Sequence, residues 1–543
     1  MTFSTTKYVG PTAPNSMFIS KIRIMALAAT LLFAMGCDDP TQKVAELTDV
    51  QNAWGSRGFG NQTHTPKNHR HIHKSNKSKP AKYVFYLIGD GMALPQINAA
   101  QYYVASKTSS GGVGPNFDAA PVEPPAILNM LTLSAQGFAT THSNNSYITD
   151  SAAAGTALAC GLKTDSGVIS MPPALDAKLP TIAEQAKAKG LKVGIISSVS
   201  IDHATPAVFY AHNVSRNNYQ EIGMDLVASG FDYFGGGSVR WNKHSDGGAA
   251  FIAAAEDAGY TIASNREEIE SLRKRDGKVI AYNAVRDSSN AMPFELVRNK
   301  AEDADDLSLN DFVVKGIELL NNKRGFFMMV ESGKIDWAGH ANDAAANIMD
   351  TLQFDEVVGT VLDFYEAHAD ETLIVVTADH ETGGMSLGSA SMGYNSMFEL
   401  IDAQTSTYDE YDLELKAMKS DVSNLSDLNE TIETTFGFDM NNDGAGIAMS
   451  DWDMERLEQA FAFWITGDNE MSAGARARAY DYYNPVVVTL THILNEKAGI
   501  GWTSYSHTAV QVPVYAEGVG AESFNGNYDN TDIYHLTAEA MGL

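Results

Sequence analysis

The stretch that decides the fold is YVFYLIGDGM (Tyr83–Met92), in which an unbroken apolar run leads directly into a glycine–aspartate turn. A short run without polar members is typical of a strand buried on both faces, as in a parallel sheet. Helical patterns occur at Leu179–Lys189 and Thr351–His368. Three more strands of the same character are predicted at Val193–Ile196, Phe326–Val330 and Leu373–Val376, so that the two helical patterns lie between strands. This alternation predicts an α/β fold with a largely parallel central sheet flanked by helices.

Polar clusters follow each of these four strands. They read GDGM, SSVSIDHATPAVFYAH, ESGKIDWAGH and TADHETGG in chain order. Open α/β sheets bind ligands outside the carboxyl ends of their strands, so the four clusters are expected to form one site.

The composition limits the class of protein. The 543 residues include 44% hydrophobic and 19% charged side chains, which is typical of a globular chain and excludes a largely disordered or polytopic membrane protein. The 38 basic and 67 acidic residues give a formal charge of −29. Such a charge repels a nucleic acid backbone, and the folded part of the sequence shows no basic patch, so no nucleic-acid-binding surface is expected.

The N-terminal segment indicates export. The apolar run MALAATLLFAMGC ends at Cys37 and follows Lys21 and Arg23, so residues 1–36 are predicted to be a signal peptide, with a possible true start at Met17. The ending AMGC resembles a lipoprotein processing site, at which Cys37 would be lipidated and anchor the chain to a membrane. A plain secretion signal cut nearby is the alternative. Either reading places the protein on the periplasmic or extracellular side.

The rest of the chain divides by composition. Residues 37–80 are predicted to be a flexible tether, because they are polar and lack an apolar period. The catalytic α/β domain is predicted at 81–394 and 484–543, interrupted by an acidic, mainly helical insertion at 395–483.

Within the insertion, the stretch DMNNDG resembles the first half of a calcium-binding loop, through Asp439, Asn441, Asp443 and Gly444. Position twelve of such a loop is normally Glu, but here it is Ser450. The alternative is a turn leading into a helix.

The polar clusters contain residues typical of metal sites. Asp336 and His340 are four positions apart and would share one face of a helical turn, with Glu331 just upstream. Taken alone, this pattern also fits a capped helix with a structural histidine. Asp379 and His380 directly follow a buried strand, where packing does not need them, and Asp90 has the same placement.

Carboxylates that converge at strand ends repel one another unless cations lie between them. Mixed His and Asp ligands suit zinc, whereas an all-oxygen set suits magnesium. A cluster of such ions supports hydrolysis, because it polarises a phosphoryl oxygen and stabilises the leaving oxygen.

The stretch ITDSAAAGTA places an acid–serine pair at the start of a small-residue helix. The free amides and positive dipole end of a helix favour an anion there. Taken alone, either Asp150 or Ser151 could simply be the N-cap.

Seven motifs together resemble the alkaline phosphatase family. They occur in family order from Lys82 to Leu400 and again from Val486 to the end of the chain, as LIGDGM, ITDSAAAGTALACGLKT, HATPAVFYAHNVSR, GFDYFGGG, ESGKIDWAGH, VTADHETGG and YSHTA. The resemblance implies an alkaline phosphatase fold, hydrolysis of phosphate monoesters through a phosphoserine intermediate, and a homodimer.

The resemblance also implies residue roles. Ser151 would be the nucleophile and Arg216 would grip two free oxygens of the phosphate, while Asp150 would orient Arg216 or cap the helix. Two zinc ions per subunit would be bound, the first by Asp336, His340 and His507. The ligands of the second would be Asp90, Asp379, His380 and Ser151.

A third metal, normally magnesium with one ion per subunit, would be held by Asp90, Thr205 and Glu331. His203 and Trp337 differ from one branch of the family, which has Asp and Lys there. His203 would be a substrate-side contact or would pack beside Thr205, and Trp337 is a second candidate for substrate binding.

Rival functions remain open at this point. A phosphodiesterase of the same superfamily would prefer diesters, and a sulfatase would need a C/S-x-P-x-R sequence, which neither Cys160 nor Ser151 begins. A tethered protein that only captures phosphate or metal is the alternative outside enzymes.

Overall fold

A computed structural model describes residues 79–107, 124–298, 305–467 and 471–543. Several predictions fall outside these ranges: the signal peptide, the start at Met17, Cys37, and the tether except for its last two residues. Within them, no helix is both long enough and apolar enough to cross a membrane.

The described residues form a large mixed sheet and three two-stranded pairs. The sheet contains β1–β8, β15 and β16 in the order β16-β2-β15-β8-β1-β7-β3-β4-β6-β5, and β15 alone runs antiparallel to its neighbours. The predicted α/β fold with a largely parallel central sheet is therefore confirmed. The strands are β1 (Tyr83–Gly89), β2 (Ala135–Thr140), β3 (Lys192–Ser197), β4 (Tyr233–Gly236), β5 (Tyr260–Ala263), β6 (Lys278–Tyr282), β7 (Phe326–Ser332), β8 (Thr372–Thr377), β9 (Glu381–Thr382), β10 (Ser386–Leu387), β11 (Phe438–Asp439), β12 (Ile447–Ala448), β13 (Ile500–Gly501), β14 (His507–Thr508), β15 (Val512–Gly518) and β16 (Gly526–Asp529).

Helices flank the sheet and continue through the 395–483 segment. The α-helices are α1 (Leu94–Ser106), α2 (Ser151–Cys160), α3 (Ile182–Ala188), α4 (Ala204–Ala207), α5 (Tyr219–Ser229), α6 (Ala249–Asp257), α7 (Arg266–Ser271), α8 (Glu295–Arg298), α9 (Leu309–Leu320), α10 (Lys334–His340), α11 (Ala344–His368), α12 (Tyr408–Met418), α13 (Asn429–Phe436), α14 (Asp451–Thr466), α15 (Ala473–Ala479), α16 (Pro485–Ala498) and α17 (Asn530–Met541). Short 3₁₀ helices lie at Asn129–Thr132, Trp241–Lys243, Lys274–Asp276, Ala369–Glu371, Phe398–Ala403, Leu425–Leu428 and Ala521–Phe524.

Two helices begin at residues that their caps explain. The predicted helix at Leu179–Lys189 begins at Ile182, because Pro180 disfavours helical geometry in the residue before it and Thr181 caps the helix through the Glu184 amide. The predicted helix at Thr351–His368 begins seven residues earlier, at Ala344, where the Asp343 side chain accepts from the Ala346 amide.

The register of the central strands brings their polar ends together. Ile88 of β1 pairs with Glu331 of β7 on one side and with Thr377 of β8 on the other. The residues that follow β1 and β8 therefore emerge beside the end of β7, at one edge of the sheet.

The 395–483 segment builds a second hydrophobic core. Tyr411, Phe436 and Leu457 are buried there, together with Val486 and Leu490 of α16, which follows the predicted boundary of the insertion.

The calcium-like stretch forms a turn that leads into α14. The Asp439 carboxylate accepts from the backbone amides of Asp443 and Gly444 at 3.0 and 2.8 Å. Ser450 is the N-cap of α14 and exchanges hydrogen bonds with Asp453. Both carboxylate oxygens of Asp439 therefore accept hydrogen bonds from the backbone of the turn. The twelfth residue of the calcium-like stretch, Ser450, is a serine that caps α14.

Candidate active site

The Asp150–Ser151 pair begins α2, with Asp150 as the N-cap and Ser151 as the first helical residue. Ser151 is buried, and its Oγ lies 3.3 Å from Nε2 of His380. The small residues of this helix pack closely, since a Cβ on Gly155 would approach Val208 to 2.9 Å. The hydroxyl of Ser151 is thus presented at a helix N-terminus, where the dipole and free amides favour an anion.

Asp150 performs both tasks that the sequence suggested for it. Its Oδ1 accepts from the amides of Ala153 at 3.1 Å and Gly167 at 3.0 Å, and its Oδ2 accepts from Nη1 of Arg216 at 2.9 Å. Burial tends to raise the pKa of Asp150, but Arg216 and the two amides together hold it below its ordinary value. The group is therefore a carboxylate that orients Arg216, and it is poorly suited to act as a base.

The structure brings Asp336, His340 and His507 together. Nε2 of His340 lies 3.4 Å from Oδ1 of Asp336, Nε2 of His507 lies 3.5 Å from the same oxygen, and the two nitrogens are 3.1 Å apart. Ligand atoms of a tetrahedral zinc stand about 3.3 Å apart, given zinc–ligand distances of about 2.0 Å. The three atoms are spaced as a zinc site requires.

Backbone carbonyls fix both of these imidazole rings. Nδ1 of His340 donates to the Tyr505 carbonyl at 2.6 Å, and Nδ1 of His507 donates to the Thr149 carbonyl at 2.8 Å. Each Nε2 is thereby left as the ligating atom. Thr149 directly precedes Asp150, so the orientation of His507 depends on the segment that carries the nucleophile.

A second group consists of Asp90, Asp379 and His380, all fully buried. Nε2 of His380 lies 3.4 Å from Oδ1 of Asp90 and 3.1 Å from Oδ2 of Asp379. Oγ of Ser151 lies 3.3 Å from the same nitrogen. Nε2 of His380 is therefore close to an oxygen of each of the three residues predicted to bind the second metal with it. Its ring also stacks on His507, with centroids 3.5 Å apart, so the two groups adjoin.

A third group contains Asp90, Glu331 and His203, the last of which sequence reasoning left open. Thr205 donates to Oδ2 of Asp90 at 3.5 Å, and Ser197 at the end of β3 donates to Oε2 of Glu331. Burial, aided by the charge of Asp379, raises the pKa of Glu331 to about 7. Burial and the neighbouring carboxylates likewise raise the pKa of Asp90.

Orphaned buried atoms test whether these residues fit metal ions. Four ligand-type atoms of the second and third groups are buried and make no hydrogen bond: Oδ1 of Asp90, Oδ2 of Asp379, Oε1 of Glu331 and Nδ1 of His203. Leaving such atoms unsatisfied costs about 1–3 kcal/mol each, and more for charged groups. Cations at this position would satisfy the oxygens and relieve the carboxylate repulsion, so the donor set fits divalent metals.

His203 and Trp337 border the site on the side of Arg216. Nε2 of His203 lies 3.4 Å from Nη2 of Arg216, and the His203 and Trp337 rings meet edge to face with centroids 6.0 Å apart. Burial, with the charges of Arg216 and Arg240, lowers the pKa of His203 to about 3, so its ring is neutral.

Sequence reasoning missed three residues that support the site. Ser197 hydrogen-bonds Glu331, and Thr382 donates to Oδ1 of Asp336 and lies 3.3 Å from Nδ1 of His380. Lys334 is fully buried, with Nζ 2.7 Å from Oδ2 of Asp287 and 4.6 Å from the Trp337 ring centroid. Thr382 and Lys334 occur inside the TADHETGG and ESGKIDWAGH motifs, and their closeness to the ligands in sequence was the available signal.

Comparisons with known proteins agree with this geometry. The alkaline phosphatase family profile matches residues 81–233 and 239–543. Alkaline phosphatase 3 of Bacillus subtilis is 31% identical over 481 residues, which cover 86% of this chain and 90% of that protein.

Solved structures give the same result. The cold-active alkaline phosphatase of a Shewanella species superposes with a TM-score of 0.67 at 28% identity, covering 84% of this chain and 99% of the other. A histidine-to-glutamate mutant of the TAB5 alkaline phosphatase with magnesium bound gives a TM-score of 0.56 at 25% identity, covering 86% and 99%. The chain belongs to the alkaline phosphatase family, and it is a metal-binding hydrolase of phosphate monoesters.

Proposed function

We propose that Ser151 is the nucleophile of this phosphatase and that Arg216 holds the phosphate during the reaction. The placement of the Ser151 hydroxyl is the observation that carries the proposal, because it lies at a helix N-terminus and within 3.3 Å of His380, a member of the second ligand group. Arg216 is anchored to the residue before Ser151, so its guanidinium is fixed relative to the nucleophile.

The proposed metals are two zinc ions and one magnesium ion per subunit. Asp336, His340 and His507 would hold the first zinc, and the donor spacing described above supports this choice. Asp90, Asp379, His380 and Ser151 would hold the second zinc, while Asp90, Thr205 and Glu331 would hold magnesium. The magnesium-bound TAB5 structure supports magnesium in the family. Such ions supply Lewis acidity to phosphoryl oxygens and lower the pKa of a bound hydroxyl or water.

The reaction then proceeds in two displacements on phosphorus. The Ser151 hydroxyl loses its proton as Oγ forms a bond to phosphorus; the ester P–O bond breaks, and the departing alcohol takes up a proton in exchange. Water next attacks the phosphoserine, the bond from phosphorus to Oγ breaks, and inorganic phosphate leaves. Arg216 donates to two non-reacting phosphate oxygens, a planar bidentate contact that lysine would make poorly. Two inversions give net retention of configuration at phosphorus.

His203 is proposed to serve the third metal site or the substrate side, and its neutral ring is compatible with either role. Trp337 is proposed as part of the substrate-facing wall. His203 is grouped with Asp90 and Glu331 but also lies beside Arg216, which supports both readings.

The test of this proposal is a chelation and reconstitution series with p-nitrophenyl phosphate at alkaline pH. Prolonged chelation is expected to abolish hydrolysis, and adding zinc with magnesium to restore it with two zinc ions and one magnesium ion bound per chain. A fully metal-depleted protein that retains its activity would overturn the metal roles. Bis(p-nitrophenyl) phosphate serves as the control substrate, and faster turnover of this diester would favour the phosphodiesterase alternative.

Export, membrane anchoring and dimer formation are proposed from the sequence and the family. Cys37 would carry the lipid, and the homodimer is the family's expected assembly. Detergent-phase partitioning of the wild type and of Cys37→Ser tests the anchor, since only the wild type should partition with detergent. Sedimentation of the purified enzyme tests the dimer.

A further inference from the structure

Asn342 lies two residues after His340 and has an unusual combination of properties. It is 2% exposed, and its φ of +52° is a left-handed conformation that non-glycine residues rarely adopt. Asn tolerates this conformation better than most residues, and it follows the end of α10 in the position where helices often end in such a residue. Glycine would adopt the left-handed conformation at the end of α10 equally well. The helix end therefore does not explain why the residue has a buried side-chain amide.

The side chain of Asn342 joins the segment that carries His340 to the loop that leads into β14, which begins at His507. Its Nδ2 donates to the carbonyl of Gly339 at 2.8 Å and to the carbonyl of Ser504 at 2.9 Å. Ser504 precedes His507 by three residues. This bond acts beside the one from His340 to the Tyr505 carbonyl, so two adjacent hydrogen bonds fix the two segments against each other.

The helix α16 holds Asn342 from the opposite side. Nε2 of His492 donates to Oδ1 of Asn342 at 3.0 Å, and Nδ2 of Asn495 donates to the Asn342 carbonyl at 2.7 Å. Burial, with the charge of Arg456, lowers the pKa of His492 to about 4, so its ring is neutral. The amide of Asn342 is thus satisfied on every side and cannot rotate without losing bonds.

The loop that precedes His507 is held by hydrogen bonds as well as by the packing of Trp502 and Tyr505 against neighbouring hydrophobic clusters. Thr503 and Ser506 are exposed, and the loop borders a cavity of about 460 Å³ that Asn342, His492 and Arg478 also line. The loop is held on its other side by Gly383, whose carbonyl accepts from the amides of Thr503 and Ser504. Gly383 follows His380 by three residues, so it ties the loop to the segment that carries a ligand of the second group.

We infer that Asn342 is a positioning residue that sets the separation of His340 and His507. This inference rests on the proposed function, since it concerns the ligands of the first zinc. Supporting residues around a metal site orient its ligands, and losing one weakens metal binding about 10- to 100-fold. The side chain of Asn342 supplies such support for two ligands at once.

Asn342→Gly is the variant that separates the two roles of this residue. Glycine keeps the left-handed helix end without strain but removes the bond to Ser504. Asn283→Ala is the matched control, because Asn283 is also fully buried and its amide also makes three hydrogen bonds, to Asp306 and Leu307, at a distance in sequence from every ligand.

The measurements are zinc titration of the metal-free proteins and the visible spectrum of their cobalt-substituted forms, together with the free energy of unfolding without metal. Asn342→Gly is expected to bind the first zinc about 10- to 100-fold more weakly and to show altered cobalt bands. Asn283→Ala is expected to lose stability while keeping both the zinc affinity and the cobalt bands of the wild type. A wild-type zinc affinity in Asn342→Gly would overturn the inference.

His340→Ala and His507→Ala distinguish this failure from failure of the proposed function. Each is expected to lose one zinc ion per chain. If both variants bound the full complement of metal, the proposed ligand assignment would be wrong and the inference would fall with it. If both lost zinc while Asn342→Gly did not, only the positioning role would be wrong.

Discussion

Replacing Asp150 with Asn separates the two tasks of this residue, orienting Arg216 and capping α2. Asn keeps an oxygen that can accept from the amides of Ala153 and Gly167. Its NH₂ group, however, would face the Nη1 donor of Arg216, so the ion pair at 2.9 Å is lost. Asp150→Ala loses both the ion pair and the cap.

The size of the effect follows from the geometry of the pair. A hydrogen bond to a charged group contributes about 1.5–3 kcal/mol when buried. The Arg216 and Asp150 side chains are 22% and 21% exposed, which lowers this to about 1–2 kcal/mol. A loss of that size in transition-state binding lowers kcat/KM about 5- to 30-fold. Removing the cap in Asp150→Ala should cost a further 1 kcal/mol or so of folding stability, about the usual value for an N-cap.

The assay combines steady-state hydrolysis of p-nitrophenyl phosphate, inhibition by inorganic phosphate and urea unfolding. Both variants should lose kcat/KM, phosphate affinity and the stability contributed by the ion pair, and Asp150→Ala should be about 1 kcal/mol less stable than Asp150→Asn because it also loses the cap. If Asp150→Asn kept full kcat/KM, the orienting role would be refuted. Equal destabilisation of both variants would refute the separation of the two tasks.

Three further outcomes are expected. Arg216→Lys should raise the inhibition constant of inorganic phosphate about tenfold or more, because a lysine ammonium cannot make the bidentate contact; an unchanged constant would contradict the phosphate-holding role. Burial raises the pKa of Asp343 from 3.8 to about 6, so the folded protein keeps this proton longer than the unfolded chain, and its contribution to stability should fall as pH rises from about 4 to 6. Between about pH 4 and 6, the free energy of unfolding should decline less steeply in Asp343→Asn than in the wild type. Parallel curves for the two proteins would refute the raised pKa of Asp343. Burial raises the pKa of the Cys160 thiol to about 12, so a maleimide should label it only after denaturation, and rapid native labelling, read by mass spectrometry, would contradict this.

The sequence was most informative where chemistry and backbone pattern coincide. Asp90, Glu331 and Asp379 each follow or end a strand without polar alternation, so their shared edge could be predicted from the parallel order alone. Asp336 and His340 were predictable because both lie on one helical turn. These are local patterns whose geometry the backbone largely dictates.

Other parts of the site depend on contacts between distant segments. His507 is a single histidine before a strand, and only the family resemblance identified it. Its position beside His340 depends on a loop held by Asn342 and Gly383, a contact that no local pattern encodes. Lys334 was missed for the same reason, because a lysine at the start of a helix gives no sign that it will be buried against Asp287 and Trp337.

The helix boundaries also divide into those that local sequence signals explain and those that involve contacts with distant segments. The start of α3 at Ile182 follows from Pro180 and Thr181, both visible in the sequence. The start of α11 depends on Asp343, whose carboxylate is also held by Gln404 and Tyr408 from the 395–483 segment. That contact exists only in the folded chain.

The most direct test of the central claim is to trap the covalent intermediate. The metal-loaded enzyme would be mixed with a phosphate monoester, quenched in acid and digested, and the phosphopeptides sequenced by mass spectrometry, with Ser151→Ala treated in parallel. We expect one phosphate on Ser151 in the wild type, and in the variant neither phosphopeptide nor appreciable hydrolysis with the fold intact. A phosphate on another residue, or a Ser151→Ala variant with wild-type turnover, would contradict the account.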